Sequence, residues 1–110
     1  MLIVTTNDAP GYRVVKTLGL VRGITVRSRN AISDMVGGLQ SMLGGRVETY
    51  VKLAETSRAE ALQEMVDHAQ AMGANAVIAM RYEANEIMEG VTEVLAYGTA
   101  VVVEDRKAHV

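Results

Sequence analysis

Four stretches of the chain have the pattern of β-strands, and in two of them, Tyr12–Arg27 and Ala76–Asn85, apolar and polar residues alternate as in a strand with one buried face. These predicted strands are Leu2–Thr5, Tyr12–Arg27, Ala76–Asn85 and Val91–Glu104. In the last of them the residues of both parities are largely apolar, so we expect a strand that is central in its sheet or covered on both sides. The turn between the last two strands is predicted at Glu86–Gly90.

The strand Tyr12–Arg27 is much longer than the usual strand of about five or six residues. Gly19 and Gly23 within it predict bends or bulges. One of its faces is predicted to be apolar and contains Tyr12, Val14, Leu18, Leu20, Ile24 and Val26. Lys16 and Arg22 are the two charged residues on that face.

A helical spacing of three and four residues replaces the alternation between residues 30 and 72. Asn30–Leu43 has this spacing but contains Gly37 and Gly38, at a cost of about 1 kcal/mol each relative to alanine, which predicts a short, weak helix. Val47–Met72 is predicted as one continuous helix ended by Gly73. Its stripe contains Val47, Tyr50, Leu53 with Ala54, Ser57, Ala61 with Leu62, Met65, Ala69 and Met72. Ser57 and Glu60 have capping-box spacing, so a second helix starting at Ser57 is the alternative.

This order of elements predicts an α+β fold with a mainly antiparallel sheet, packed by one long helix plus a short glycine-interrupted helix. Residues 1–104 form a single domain in this interpretation, and residues 105–110 form a flexible C-terminal tail. A helix over Val47–Met72 would be about 39 Å long at about 1.5 Å per residue, whereas a compact domain of this size has a radius of gyration of about 13 Å. We therefore expect neighbouring subunits to cover the excess length, in a closed ring built from heterologous contacts.

Charge and composition narrow the choice of partners. Residues 1–54 carry seven basic and three acidic residues, a balance of +4, whereas residues 55–110 carry four basic and ten acidic residues, a balance of −6. This asymmetry fits a nucleic-acid face, complementary edges for self-association, or two simply solvated halves; we favour self-association because the basic residues are spread out. With four tyrosines and no tryptophan or phenylalanine, the chain lacks the stacking aromatics of single-strand nucleic-acid binding.

The absence of cysteine excludes disulfides and thiolate zinc sites. It is compatible with a reducing compartment. The N-terminus lacks the features of a signal peptide, and no apolar run is long enough to cross a membrane. We therefore expect a cytoplasmic protein with no nucleic-acid or membrane partner.

Several short motifs carry a family resemblance. They are Gly44-Gly45-Arg46-x-x-x-Tyr50, then Ala61-Leu62 and Met65, then Gly73-Ala74-Asn75-Ala76-Val77-Ile78, and finally Gly98-Thr99-Ala100-Val101-Val102-Val103. In this order and spacing the chain resembles the YbjQ-like family of small bacterial proteins from Ile3 to Glu104. The resemblance implies a subunit similar in fold to the dodecin subunit, a homopentamer and a heavy-metal-binding label. None of the motifs is a catalytic signature, and the shortage of aromatics argues against a dodecin-like flavin role.

Metal-ligating residues are few and scattered, because the histidines are only His68 and His109. His68 is interpreted as an ordinary surface or partly packed residue. Four glutamates form an acidic turn that would bind a hard cation only if a ring gathered several copies: Glu83, Glu86, Glu89 and Glu93. Methionine at helical spacing, as at Met35 and Met42, is interpreted as core filling. We name no metal ligand and no cofactor, and leave a metal ion as one option.

The candidate site is the stretch that contains Gly44, Gly45, Arg46, Glu48 and Tyr50. The glycine pair leads into a predicted helix N-terminus, where free amides, the helix dipole and Arg46 favour an anion. Our leading hypothesis is a non-enzymatic ring protein that binds a small ligand, anion or metal ion at subunit interfaces near this stretch. The alternative is an enzyme whose shared active site uses Arg46 as anion holder, Glu48 for proton transfer and Tyr50 as orienting hydroxyl.

Overall fold

The computed structural model of the chain describes residues 1–28 and 46–106. In these ranges the elements are β1 (Leu2–Ile3), β2 (Tyr12–Ser28), α1 (Arg46–Ala71), β3 (Ala76–Met88) and β4 (Val91–Asp105). The predicted α+β class with one long helix is confirmed. The predicted short helix over Asn30–Leu43 lies outside the described residues.

The strands form one mixed sheet in the order β1-β3-β4-β2. β4 pairs antiparallel with both β2 and β3, whereas the two-residue β1 runs parallel to β3. The two long pairings are thus antiparallel, as predicted, and β4 is the central strand. The β3–β4 turn is tighter than predicted, because β3 continues to Met88 instead of ending at Asn85.

α1 is one uninterrupted helix, so the alternative of a break at Ser57 is wrong. Ser57 is buried within the apolar stripe, which repeats every four residues through Leu53, Ser57, Ala61, Met65 and Ala69. The helix ends as the sequence predicts: Gly73 has a φ of 89° and donates its N–H to the Gln70 carbonyl at 3.0 Å, while the N–H of Ala74 reaches the Ala69 carbonyl at 3.0 Å. This pair of bonds is a Schellman cap.

The helix packs on β2 through residues with little or no side chain. A Cβ at Gly23 would overlap the backbone of α1 at Ala61, so glycine permits the close approach. Val21 and Thr25 flank Gly23 on the same face and are also buried. The part of the predicted apolar face from Leu20 onward therefore points away from α1, and Leu20, Ile24 and Val26 on it are exposed. Leu18, which precedes this part, packs against the core beneath α1.

A β-bulge in β3 interrupts the predicted alternation of Ala76–Asn85. The pairing with β4 shifts register between Ile78 and Arg81, and Ala79 adopts a φ of 53°. Val77 and Met80 consequently both belong to the core beneath α1, whereas Ile78 packs on the opposite side of the sheet. The prediction of one uniform strand face over this stretch is wrong because the extra residue reverses the side-chain parity.

Residues 4–11 cover one end of the sheet face that lies opposite α1. Ala9 packs there with Ala76, Val101 and Val103. The loop is fixed to the bulge by two backbone hydrogen bonds, from Ala79 N to the Thr6 carbonyl at 2.7 Å and from Met80 N to the Val4 carbonyl at 3.0 Å.

Candidate functional site

The predicted site residues lie at and before the start of α1. Gly44 and Gly45 fall outside the described residues, and of Arg46 only the backbone at the helix start is described. Glu48 is exposed in the first turn. Tyr50 is 46% exposed and contributes to the wall of a cavity. Of the three residues in the enzyme hypothesis, Tyr50 is thus the one that the structure places at a concave site.

This cavity has a volume of about 280 Å³ and lies between the N-terminal half of α1 and the ends of β2, β3 and β4. We call it the helix cavity. Its lining residues are Arg27, Tyr50, Leu53, Ala54, Ser57, Arg58, Ala84, Thr92 and Val94. α1 is held closest to the sheet further along, at Gly23, and the cavity lies on the N-terminal side of that contact. Small side chains at Ala54 and Ala84 leave the space.

The helix cavity combines an apolar wall with a cationic end. Leu53, Ala54, Ala84 and Val94 supply the wall. The guanidinium of Arg58 lies 5.3 Å from the centroid of the Tyr82 ring, a cation–π distance. An apolar concavity with a few polar groups is the usual form of a small-molecule site.

The second arginine of the cavity is engaged within the chain. Arg27 forms a 2.7 Å ion pair with Glu60, and the two side chains are 26% and 49% exposed. A pair this exposed contributes about 0 to 1 kcal/mol. Because the carboxylate of Glu60 offsets its charge, Arg27 brings little net charge to the cavity, in contrast to Arg58.

Sequence reasoning missed Arg27, Arg58 and Thr92 as site residues. Arg27 and Thr92 are neighbours only because β2 and β4 pair in that register. The sequence does indicate part of the cavity lining. Tyr50, Ala54 and Ser57 are spaced at four and three residues, so they share one face of the helix.

Acidic and imidazole side chains of α1 cover the outer edge of β2. Glu64 accepts a hydrogen bond from the backbone N–H of Ile24 at 3.0 Å, and His68 Nδ1 accepts one from the N–H of Arg22 at 3.2 Å. An uncovered strand edge pairs readily with another chain, and these bonds block that pairing locally. His68 is exposed and partly packed, as interpreted from the sequence.

The acidic turn is organised by hydrogen bonds within the chain. Glu86 accepts from the backbone N–H of Gly90 at 3.1 Å, and Glu83 accepts from the hydroxyl of Tyr97 at 3.0 Å. That hydrogen bond raises the pKa of Tyr97, reinforced by desolvation and the negative charge of Glu83. Across residues 1–28 and 46–106 no three histidine, aspartate or glutamate side chains converge as a metal-ion site.

A bare apolar surface lies on the sheet face opposite α1. Leu20, Ile24 and Val26 are 67%, 37% and 49% exposed, and we call these three the outer β2 face. The N-terminal loop covers only the other end of this sheet face, around Val101 and Val103.

Comparison with known proteins decides the family. The family model described as "Putative heavy-metal-binding", YbjQ, matches residues 1–104. The chain belongs to the YbjQ family. Among curated YbjQ relatives, a UPF0145 protein of Chromobacterium violaceum is 55% identical over 103 residues, covering 94% of this chain and 88% of the relative. Another, from Saccharolobus solfataricus, is 51% identical over 104 residues, covering 94% of this chain and 91% of the relative. This second source is archaeal, so the family is not confined to bacteria.

A solved structure supports the YbjQ fold. A protein of unknown function from Pediococcus pentosaceus, of the DUF74 family, superposes with a TM-score of 0.61 over 94% of this chain and 98% of that one. At 17% identity the likeness concerns the fold alone. Within the described part of the chain, no helix has the length and apolarity needed to cross a membrane.

Proposed function

We propose that the protein is a homo-oligomeric, non-enzymatic binding protein whose subunits cover one another's outer β2 face and bind small ligands. The observation that carries the proposal is the exposure of Leu20, Ile24 and Val26 on one strand. Large apolar side chains grouped on a folded surface favour burial by a partner, at about 25 cal/mol per Å² of apolar surface removed from water.

Shape and charge favour a second copy as that partner. The Cα radius of gyration is 17.7 Å, against about 13 Å for a compact domain of this size, so the subunit is more extended than a compact domain. Lys16 and Arg22 make β2 basic, whereas Glu86, Glu89 and Glu93 make the β3–β4 turn acidic. Contacts between these unlike surfaces of successive subunits are heterologous, and they close into a ring when the rotation permits.

The family resemblance adds a subunit number and a ligand class to this proposal. A homopentamer with a dodecin-like subunit is the assembly that it implies, and a cytoplasmic location agrees with a chain that has no cysteine. A heavy-metal ion is the ligand class that the family description suggests. Metal analysis of the purified, unsupplemented protein tests that part directly.

Multi-angle light scattering of the full chain tests the assembly. Five copies of the 11.8 kDa chain give about 59 kDa. Leu20→Lys should lower the mass of the assembly, because it places a charge in the proposed contact. Val51→Lys is the matched control, since Val51 is also exposed, at 51%, but lies on α1. A monomeric wild type, or equal masses for the two variants, would refute the assembly through the outer β2 face.

A further inference from the structure

We propose that the helix cavity binds a small organic monocarboxylate with a compact apolar body, whose carboxylate pairs with Arg58. This inference rests on the proposed binding function, but not on the proposed assembly, because the cavity lies beneath α1 and the outer β2 face lies on the opposite side of the sheet. Neither the family description nor the relatives assign a ligand to this cavity.

The charge of the ligand follows from Arg58. Among the described residues no carboxylate lies within 4.0 Å of its guanidinium, whereas Arg27 is paired with Glu60. The Tyr82 ring lies beneath the Arg58 guanidinium at 5.3 Å. A guanidinium stacked on an aromatic ring leaves its in-plane N–H groups available to an acceptor. A carboxylate can accept two parallel hydrogen bonds from these N–H groups.

The apolar part of the ligand follows from the opposite wall. Leu53, Ala54, Ala84 and Val94 present no polar side-chain group, so a wholly polar anion such as phosphate or sulfate gains nothing from this wall, whereas an apolar body removes it from water. A volume of about 280 Å³ equals the share of about nine water molecules in the liquid. Benzoate, with its single charge and planar apolar ring, is a probe of suitable size.

Hydroxyl groups give the site further selectivity. Tyr50, Ser57 and Thr92 line the cavity, and each carries a hydroxyl that can donate to or accept from a polar substituent on the ligand. Hydroxy-substituted aromatic carboxylates therefore form the second probe series. They should bind more tightly than benzoate only when the substituent reaches one of these hydroxyls.

Heteronuclear NMR of the full wild-type chain tests the proposal with benzoate, its neutral analogue benzyl alcohol and inorganic phosphate. Benzoate should bind saturably in the millimolar range and shift the amide signals of Ala84 and Val94. Benzyl alcohol should bind about tenfold more weakly, as expected when a charge-assisted hydrogen bond is missing. Stronger binding of phosphate than of benzoate, or no saturable benzoate binding, would overturn the proposal.

Two matched pairs of variants locate the ligand. Arg58→Gln should weaken benzoate binding about tenfold, whereas Lys52→Gln removes the same charge from an exposed position of α1 and should have no effect. Ala54→Leu should fill the cavity and abolish binding, whereas Ala59→Leu adds the same groups on the exposed side of α1 and should not. Equal effects within either pair would overturn the assignment.

Failure of the ligand proposal can be distinguished from failure of the proposed assembly. Benzoate binding should persist in Leu20→Lys even where light scattering shows that the subunits have separated. Loss of binding together with loss of assembly would place the ligand between subunits and refute a site within one subunit.

Discussion

Gly23 allows α1 to lie directly on β2, and its replacement should be severely destabilising. A Cβ at this position would lie 2.5 Å from Met65 N and 2.8 Å from Glu64 Cβ, and would overlap the carbonyl oxygen of Ala61. Carbon atoms do not approach other heavy atoms this closely in a close-packed interior. Because two of the three obstructing atoms are backbone atoms, a change of rotamer cannot relieve Gly23→Ala, and the helix has to move.

The size of the effect can be worked out from this geometry. Overpacking of a core lowers the free energy of unfolding by about 1 to 3 kcal/mol. Because Gly23→Ala also requires a backbone shift, we expect a loss of about 3 kcal/mol, at the upper end of this range. Unfolding entropy of about 2.1 cal/mol/K per residue amounts to about 0.23 kcal/mol/K for 110 residues. The expected fall in Tm is therefore about 13 °C.

Thermal unfolding followed by circular dichroism measures this shift, at one protein concentration because the Tm of an oligomer depends on it. Ala61→Gly combined with Gly23→Ala is the informative double variant. It removes the Ala61 side chain but keeps the obstructing carbonyl oxygen, so it should melt no higher than Gly23→Ala alone. A Tm within about 2 °C of wild type for Gly23→Ala, or rescue by the second substitution, would refute the backbone overlap.

Substitutions at three further positions test hydrogen bonds made by Asn75, Glu64 and Glu83. Asn75→Ala removes both side-chain bonds to the Val103 backbone, at 3.0 and 2.8 Å, and should cost about 1 to 3 kcal/mol in denaturant unfolding. Glu64→Ala removes the acceptor for an outward N–H of β2 and should cost about 1 kcal/mol, whereas Glu64→Gln should retain most of the stability. Glu83→Gln should lower the pKa of Tyr97, because the hydrogen bond to Glu83 raises it; a difference titration of phenolate absorbance against Tyr97→Phe measures this change.

The pH dependence of the Tyr97 contact has a definite sign. The folded-state pKa of Tyr97 lies above its ordinary value of 10.0, so folding favours the protonated hydroxyl. Its contribution to stability is therefore fully present below about pH 10 and is lost as the pH rises through the folded-state pKa. Glu83→Gln should weaken this alkaline loss, and an alkaline transition identical to that of wild type would contradict the assignment.

The long helix was predictable because its signal is local. The buried positions from Leu53 to Ala69 recur every four residues, and Gly73 ends the element by its own conformational preference. No residue distant in sequence is needed to recognise such a stripe. The predicted end and the observed Schellman cap consequently agree.

The faces of β2 and β3 were less predictable because tertiary contacts decide them. On β2 the helix selects the face with Gly23 over the face with Leu20 and Ile24, since only a missing side chain permits the close approach. On β3 the bulge at Ala79 is fixed by hydrogen bonds that Ala79 and Met80 donate to carbonyls of the N-terminal loop. Neither contact can be recognised from the alternation of apolar and polar residues within a single strand.

The helix cavity could not be predicted from the linear pattern either. Its lining comes from α1 and from three strands, and Arg58 acquires its role from Tyr82 and from the absence of a nearby carboxylate among the described residues. The predicted site stretch reaches the cavity only through Tyr50. The predicted site stretch and the helix cavity thus lie at the same end of α1, but Arg27, Arg58 and Thr92 were not among the predicted residues.

The two sides of β2 limit how subunits can associate along it. At Arg22 and Ile24 the outward N–H groups already donate to His68 and Glu64, so a second chain cannot extend the sheet there without breaking these bonds. No described residue covers the outer β2 face in this way, and burial of its large side chains by a partner gains free energy. Association over this part of β2 should therefore proceed by side-chain packing across the face, which preserves the helix-covered edge and leaves the helix cavity within each subunit intact.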